Sequence, residues 1–422
     1  MKELGLIIDL NQPLVNEESV IKRSITDFYN PLAKLLKSYK NISFSLNIPL
    51  STLELWEKHE ASGLISEFRD MYQNEKIELI NSSPYGLSLS GLPEKIIESQ
   101  LILNEYGIGY YLGSRQGFEG EPSIMLKDVT GFLPVFNNID EAVLKVLFDL
   151  DYSWFAIKKS NLNCRLFEID VGERVIKGVN TVDDLNDIIS GLMLGENNYI
   201  NLEGLDKHIS EELDKVFKNI YNDNDNSAVV GLGLNTEKMG LDINYKNLYR
   251  VYESVLDSLV KMFEEVKNVS EVLKFKGKLK KYTLTDYTEE IKEEMKEEMK
   301  NTDNKKETNP DYTAQICQKI LDLNYNNNSI SLNDINENDM SSIKLWNLEH
   351  IKTLNNTNIL NNTCYLMIIS KLVPLMNLKE SKNYIENERY SDLVKKETRA
   401  YVDQLTSYID NKEVIEFLRT VN

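Results

Sequence analysis

Residues 4–48 read LGLIIDLNQPLVNEESVIKRSITDFYNPLAKLLKSYKNISFSLNI, and the change of period inside this stretch decides the fold class. Leu4–Leu10 is a nearly continuous apolar run, the pattern of a strand covered on both faces. From Glu18 to Tyr39 the period becomes helical, with Ile21, Ile25, Phe28, Leu32 and Leu36 on one face. Ile42–Ile48 then alternates as a strand. Working outward, the exchange repeats: helical spacing over Leu53–Gln73, a strand over Lys76–Ile80 and a helix over Pro93–Tyr106. A short apolar segment, Gly131–Val135, precedes a helix over Glu141–Leu150 and a strand over Tyr152–Ile157. Alternation of this kind predicts parallel strands with helical crossovers, in an α/β barrel or a doubly wound sheet.

The pattern weakens after Lys158 and revives at Ala228–Leu234 (AVVGLGL), ahead of a long helix over Tyr245–Val266. From Thr285 the signal is helical throughout. Glu289–Lys300 (EEIKEEMKEEMK) spaces Ile291, Met295 and Met299 four apart, as one face of a helix. Polar, Asn-rich stretches at 301–310 and 325–338 read as loops, and Ser342–Leu372 and Tyr384–Leu418 as further helices. The expected organisation is an α/β domain over residues 1–270 and a helical domain over residues 271–422.

Composition closes off several function classes. Asp and Glu number 67 against 48 Lys and Arg, a formal net charge of −19 that repels nucleic acid and anionic membrane surfaces. The one basic run, Lys274–Lys281 (KFKGKLKK), reads as a solvated loop or strand edge. Cys164, Cys317 and Cys364 are widely spaced, which fits a reducing compartment and neither a disulfide framework nor a thiolate zinc site. His59, His208 and His350 are isolated, so the clustered imidazoles of metallohydrolases are missing and no metal is expected. Neither GxGxxG nor GxxxxGK[ST] occurs, and no cofactor is expected. The apolar run at the N-terminus is too short for a membrane span or a signal-peptide core, so the expected setting is cytoplasmic.

Four segments carry a more specific pattern. LIIDLNQPL (Leu6–Leu14) places Asn11-Gln12-Pro13 at the end of the first strand, and EKIELINSSPY (Glu75–Tyr85) places Glu78 in another. GFLPVF (Gly131–Phe136) precedes a helix and the strand entered at Asp151-Tyr152. LNTEKMG (Leu234–Gly240) directly follows the AVVGLG strand. In order and spacing these segments resemble the signature regions of glycoside hydrolase family 57, whose members act on α-glucans such as starch, glycogen and maltodextrins. The resemblance implies an incomplete parallel (β/α)7-type barrel followed by a C-terminal helical bundle.

It also implies where the chemistry would stand. The family's His-Gln-Pro reads Asn11-Gln12-Pro13 here, and Glu78 matches a family Glu. The family's nucleophilic Glu falls on Phe136, and the general-acid Asp of Tyr-Asp-Thr-Glu falls on Asn235, with Thr236, Glu237 and Gly240 in register. A phenyl ring cannot attack an anomeric carbon, and an amide has no titratable proton for the leaving oxygen. The expectation is a degenerate, catalytically inactive relative that binds an α-glucan or oligosaccharide, or acts beside an active paralogue. Asn11, Gln12, Glu78 and Glu237 would hydrogen-bond the sugar, and Trp154 and Trp346 are candidates to stack on it, although each Trp on its own reads first as core. A rival alignment of GFEGEP (Gly117–Pro122) would make Glu121 the nucleophile, at about twice the usual separation from the following strand. On that alternative the chain is an active retaining hydrolase or 4-α-glucanotransferase.

Overall fold

The computed structural model describes residues 3–12, 15–113, 129–135, 139–157, 165–171, 174–181, 184–194, 204–220, 227–233, 243–274, 279–289, 371–377, 388–406 and 416. The strands are β1 (Glu3–Asp9), β2 (Phe44–Asn47), β3 (Ile77–Asn81), β4 (Gly131–Phe132), β5 (Trp154–Ile157), β6 (Leu166–Val171), β7 (Arg174–Asn180), β8 (Ser227–Gly233), β9 (Glu265–Lys267) and β10 (Lys280–Thr283). They form one sheet in the order β10-β6-β7-β5-β4-β3-β2-β1-β8, with β9 beside the start of β1. Within it β7-β5-β4-β3-β2-β1-β8 is a parallel run. The hairpin partner β6 is antiparallel to β7, and β10 extends the sheet beyond β6. The sheet curls until Thr181, just past β7, reaches Gly231 on the far strand β8, about 3.8 Å from where a Cβ would stand. The architecture is the expected incomplete parallel (β/α)7-type barrel.

Helices cover its outer face: α1 (Glu18–Ser24), α2 (Asn30–Ser38), α3 (Leu50–Lys58), α4 (Ser62–Gln73), α5 (Glu94–Leu112), α6 (Glu141–Asp149), α7 (Asp184–Leu194), α8 (Leu205–Ile220) and α9 (Tyr245–Met262). Period-2 geometry sends Leu4, Leu6, Ile8, Phe44, Leu46, Ile77 and Leu79 outward into one core with these helices. The opposite, inner face holds a smaller cluster that includes Ile7, Ile80, Trp154, Val179 and Val229.

Three local features depart from the sequence expectations. The single helix expected over Glu18–Tyr39 carries a π-helical turn at Ile25–Tyr29 between α1 and α2. Pro31 opens α2, and a proline there has no N–H and would clash with the carbonyl of a regular preceding turn, which the wider turn avoids. The helix expected over Leu53–Gln73 is two, α3 and α4. Its break lies at Glu60, whose φ of 59° ends α3 while the Ala61 N–H returns to the Trp56 carbonyl at 2.8 Å. The helix expected over Tyr245–Val266 stops at Met262, and Glu265–Lys267 becomes β9 instead.

From β9 the chain turns into the barrel as a short helix, α10 (Val269–Lys274). Val269 and Leu273 join the inner cluster, and a Cβ at Gly5 would crowd Val229 at 3.0 Å and reach Val269 at 3.4 Å. The last strand, β10, falls after residue 270, inside the range expected for the helical domain. Further along, α12 (Glu388–Thr406) lies within the helix expected over Tyr384–Leu418, whereas α11 (Val373–Asn377) begins just past the end of the one expected over Ser342–Leu372. They pack back on the entry to α1 through Val15, Leu375, Tyr390 and Val394, with ion pairs Arg389–Glu17 and Lys371–Glu54, the latter at 3.0 Å. Among the described residues no helix is long and apolar enough to cross a membrane.

Candidate functional site at the carboxyl-terminal rim

Because β1, β2, β3, β4 and β8 are parallel neighbours, their carboxyl ends open on one rim. Barrel enzymes place function at this end, where loops converge and backbone pairing stops. Inner-face side chains at the rim are therefore the ones placed to meet a ligand.

The rim is built around Asp9. It is the last residue of β1, registered between Asn47 of β2 and Gly233 of β8. Its Oδ1 accepts from Asn47 Nδ2 at 2.8 Å and from the Asn11 backbone N–H at 3.2 Å. Asn47 is held in turn by Ser82, whose hydroxyl donates to Asn47 Oδ1 at 2.9 Å. That fixes the amide so that its NH2 faces Asp9. Asp9 keeps partial solvent exposure while lying deep in the mouth of the sheet, and burial raises its carboxyl to about 6 against the hydrogen bonds from Asn47 and Asn11. Asn11 is likewise partly exposed at the rim.

Gln12 lies close by but is turned inward. It is 2 % exposed, its backbone N–H donates to Thr52 Oγ1 at 2.9 Å, and its side chain engages Ser24 and Tyr245. These bonds anchor the loop after β1 against α1, α3 and α9, which leaves Gln12 a structural tie.

Glu78 is placed differently from the sequence expectation of a sugar-facing residue. It is the second residue of β3, paired with Ser45 below the rim, and it points into the barrel floor. Its two oxygens accept from the Ser270 hydroxyl at 2.9 Å and the Ser270 N–H at 3.2 Å. Ser43 and Ser45 hydroxyls take the neighbouring N–H groups of Asn268 (3.0 Å) and Val269 (2.8 Å), and Lys177 of β7 donates to the Leu273 carbonyl at 2.9 Å. A carboxylate at the amino end and a cation at the carboxyl end complement the dipole of α10. Desolvation dominates the Glu78 carboxyl and raises it to about 7. Trp154 belongs to the same floor. It is 1 % exposed, its ring covers Gly131, and its indole N–H donates to Ser270 Oγ at 2.9 Å. Glu78 and Trp154 thus hold the plug of the barrel.

Phe136, Asn235, Glu237, Glu121 and Trp346 lie outside the described residues. Asp9 and Asn47 were missed from sequence, and Ser82 was placed only among Asn81, Ser82 and Ser83, which stand where the resemblance puts polar cleft residues. The available signal was period 2: in GLIIDL, Asp9 shares a face with Ile7 and Gly5, and in ISFSLNI Asn47 shares one with Ser45.

A second buried polar group lies behind the rim, on the outer face. Asn81, the last residue of β3, donates to the Leu101 carbonyl at 3.0 Å and to Glu105, and accepts from Asn104 at 2.7 Å. The Tyr152 hydroxyl donates to Glu105, whose carboxyl burial raises to about 7. This network fastens α5 to the sheet. Among the described residues no group of three or more His, Cys, Asp or Glu side chains could hold a metal ion.

The curled parallel run with its inner plug and outer helices is a fold of the glycoside hydrolase family 57 type. The chain is similar to an exo-type maltose-forming amylase from Pyrococcus sp. ST04, with a TM-score of 0.58 and 13% identity over 99% of this chain and 82% of that one. It is similar to a family 57 branching enzyme from Thermococcus kodakaraensis, with a TM-score of 0.57 and 10% identity over 100% and 94%. A 4-α-glucanotransferase from Thermococcus litoralis aligns with a TM-score of 0.53 and 11% identity over 91% of this chain, which spans 58% of that enzyme. No family model matches the chain, and no curated protein matches it in sequence.

Proposed function

We propose that this protein binds α-glucan across the carboxyl-terminal rim of its barrel and does not cleave it. The observation that carries the reading is the placement of the motif-bearing strands. β4, β3, β1 and β8 belong to one parallel run, so the segments that follow them leave from one rim. In sequence, Asn11 follows β1, Phe136 lies four residues past β4 and Asn235 two residues past β8. Retaining glycosidases need two carboxyl groups about 5–5.5 Å apart, one attacking and one protonating. Phe136 and Asn235 supply neither, and the loss of either member of such a unit typically costs on the order of 10⁴-fold or more. What the described part of the rim retains is hydrogen-bonding capacity, at Asp9 and Asn11, and in sequence Glu237 follows four residues past β8. The structural likeness to enzymes named for maltose formation, branching and glucan transfer supports an α-glucan as the ligand class. The same proposal sets the protein in cytoplasmic starch, glycogen or maltodextrin metabolism, alone or as partner of an active paralogue.

Affinity electrophoresis in gels containing glycogen or amylose tests the reading. Retardation relative to gels without polysaccharide is expected. Equal mobility in both, with no binding of maltooligosaccharides in solution, would reject it.

A further inference from the structure

We propose that Asp9 is the ligand-anchoring carboxylate of the rim, accepting hydrogen bonds from a pair of pyranose hydroxyls through Oδ2. The inference rests on the α-glucan reading and deepens it. Asp9 closes β1, whose residues Leu4, Leu6, Ile7 and Ile8 are all at most 1 % exposed. An ionisable side chain closing such a strand is costly to bury. No cation pairs with it among the described residues.

A structural role accounts for only half of the group. Oδ1 closes a turn with the Asn11 N–H and ties β1 to β2 through Asn47. An asparagine would do both. Oδ2 is directed toward β8, where Gly233 stands opposite, 3.7 Å from the place of its missing Cβ. Gly233 does not adopt a positive φ, so its backbone does not demand glycine. A Cβ there would make ordinary contact only. Among the described residues the missing side chain leaves the face of the carboxylate uncovered, and Asp9 retains partial exposure.

The surroundings select the ligand class. The Ser82–Asn47–Asp9 chain of hydrogen bonds fixes the carboxylate before a ligand arrives, which lowers the cost of ordering it. A carboxylate is acceptor-only, so its partner must donate. An anionic ligand would be repelled, whereas adjacent sugar hydroxyls present two donors to one oxygen and offer their own oxygens to Asn11.

Calorimetric titration of the full chain with maltoheptaose tests this, using the wild type and two variants whose folding is checked by thermal melts. Asp9→Asn keeps an acceptor for Asn47 and Asn11 but replaces the free oxygen by an amide. Gly233→Leu leaves every Asp9 hydrogen bond intact and covers Oδ2. Both are expected to weaken binding about 10- to 100-fold, the range of a charge-assisted hydrogen bond. Asp9→Asn binding within about twofold of the wild type would overturn the assignment while leaving the glucan reading standing. A wild-type protein that binds no maltooligosaccharide would overturn both.

Discussion

Asp9 and Glu78 are carboxylates on the inner face of the same sheet, yet their surroundings give them opposite uses. Glu78 has both oxygens committed to Ser270, whereas Asp9 commits one and leaves the other toward Gly233. Removing Glu78 therefore threatens the fold more than the rim. A Glu78→Leu variant leaves two part-buried donors of Ser270 without their acceptor and should lose about 1–3 kcal/mol in urea unfolding. Glu78→Gln, which still accepts, should lose much less, and equal losses for the two would argue against the capping role. Gly131 makes a sharper case, because a Cβ there would stand 2.2 Å from the Trp154 ring. Gly131→Ala should cost about 1–3 kcal/mol through displacement of that indole, read as a lower urea midpoint at unchanged slope.

At the scale of elements, α10 closes the barrel from within. Its amino end is held by Ser43, Ser45 and Glu78 and its carboxyl end by Lys177, so opposite walls of the sheet meet on one short helix. Lys177→Met should destabilise by about 1 kcal/mol, and its effect should not add simply to that of Glu78→Leu, since both act on one helix. Strict additivity in a double-mutant cycle would mean that the two ends do not communicate through α10. The parallel strands with long apolar or alternating runs were legible from sequence, because short segments of that pattern, exchanged with helical ones, fit crossover-connected strands and little else. The hairpin β6–β7 and the edge strand β10 were not. Arg174 and Val175 are exposed in β7, and Lys280 and Lys281 in β10, so neither segment carries a strong hydrophobic period. The resemblance to family 57 pointed to the rim through Asn11. It put Glu78 on the sugar and not on Ser270, because the pattern of β3 alone cannot say that a helix fills the floor beneath it.

For the whole molecule, three buried carboxyls set an expected pH dependence. Asp9 is raised to about 6, and Glu78 and Glu105 each to about 7, all chiefly by burial. Each binds its proton more tightly folded than unfolded, so its stabilising contribution is complete below about pH 4 and is lost as pH rises through 6 to 7. The excess negative charge works in the same direction. The melting temperature should fall by several degrees between pH 5 and pH 8, and Glu78→Gln should flatten that fall; a melting temperature that climbs steadily over the interval would refute the assignment. The carboxyl-terminal helices add Leu372, Val373 and Val402 to the main core, so they should unfold together with the barrel. Deleting residues 371–422 should expose that surface and give aggregation or strong dye binding, whereas a well-behaved monomer with sharp unfolding would make the helices an appendage.

Glucan binding without cleavage is decided most directly by product analysis of the wild-type protein incubated with maltoheptaose and amylose from pH 4 to pH 8. Retention of the sugar without shortened or elongated chains is expected, and Phe136→Glu and Asn235→Asp singly should change nothing, because each restores half of a two-carboxyl unit. Cleavage or transfer by the wild type that disappears in a Glu121→Gln variant would contradict the reading, and would make the protein an enzyme with Glu121 as its nucleophile.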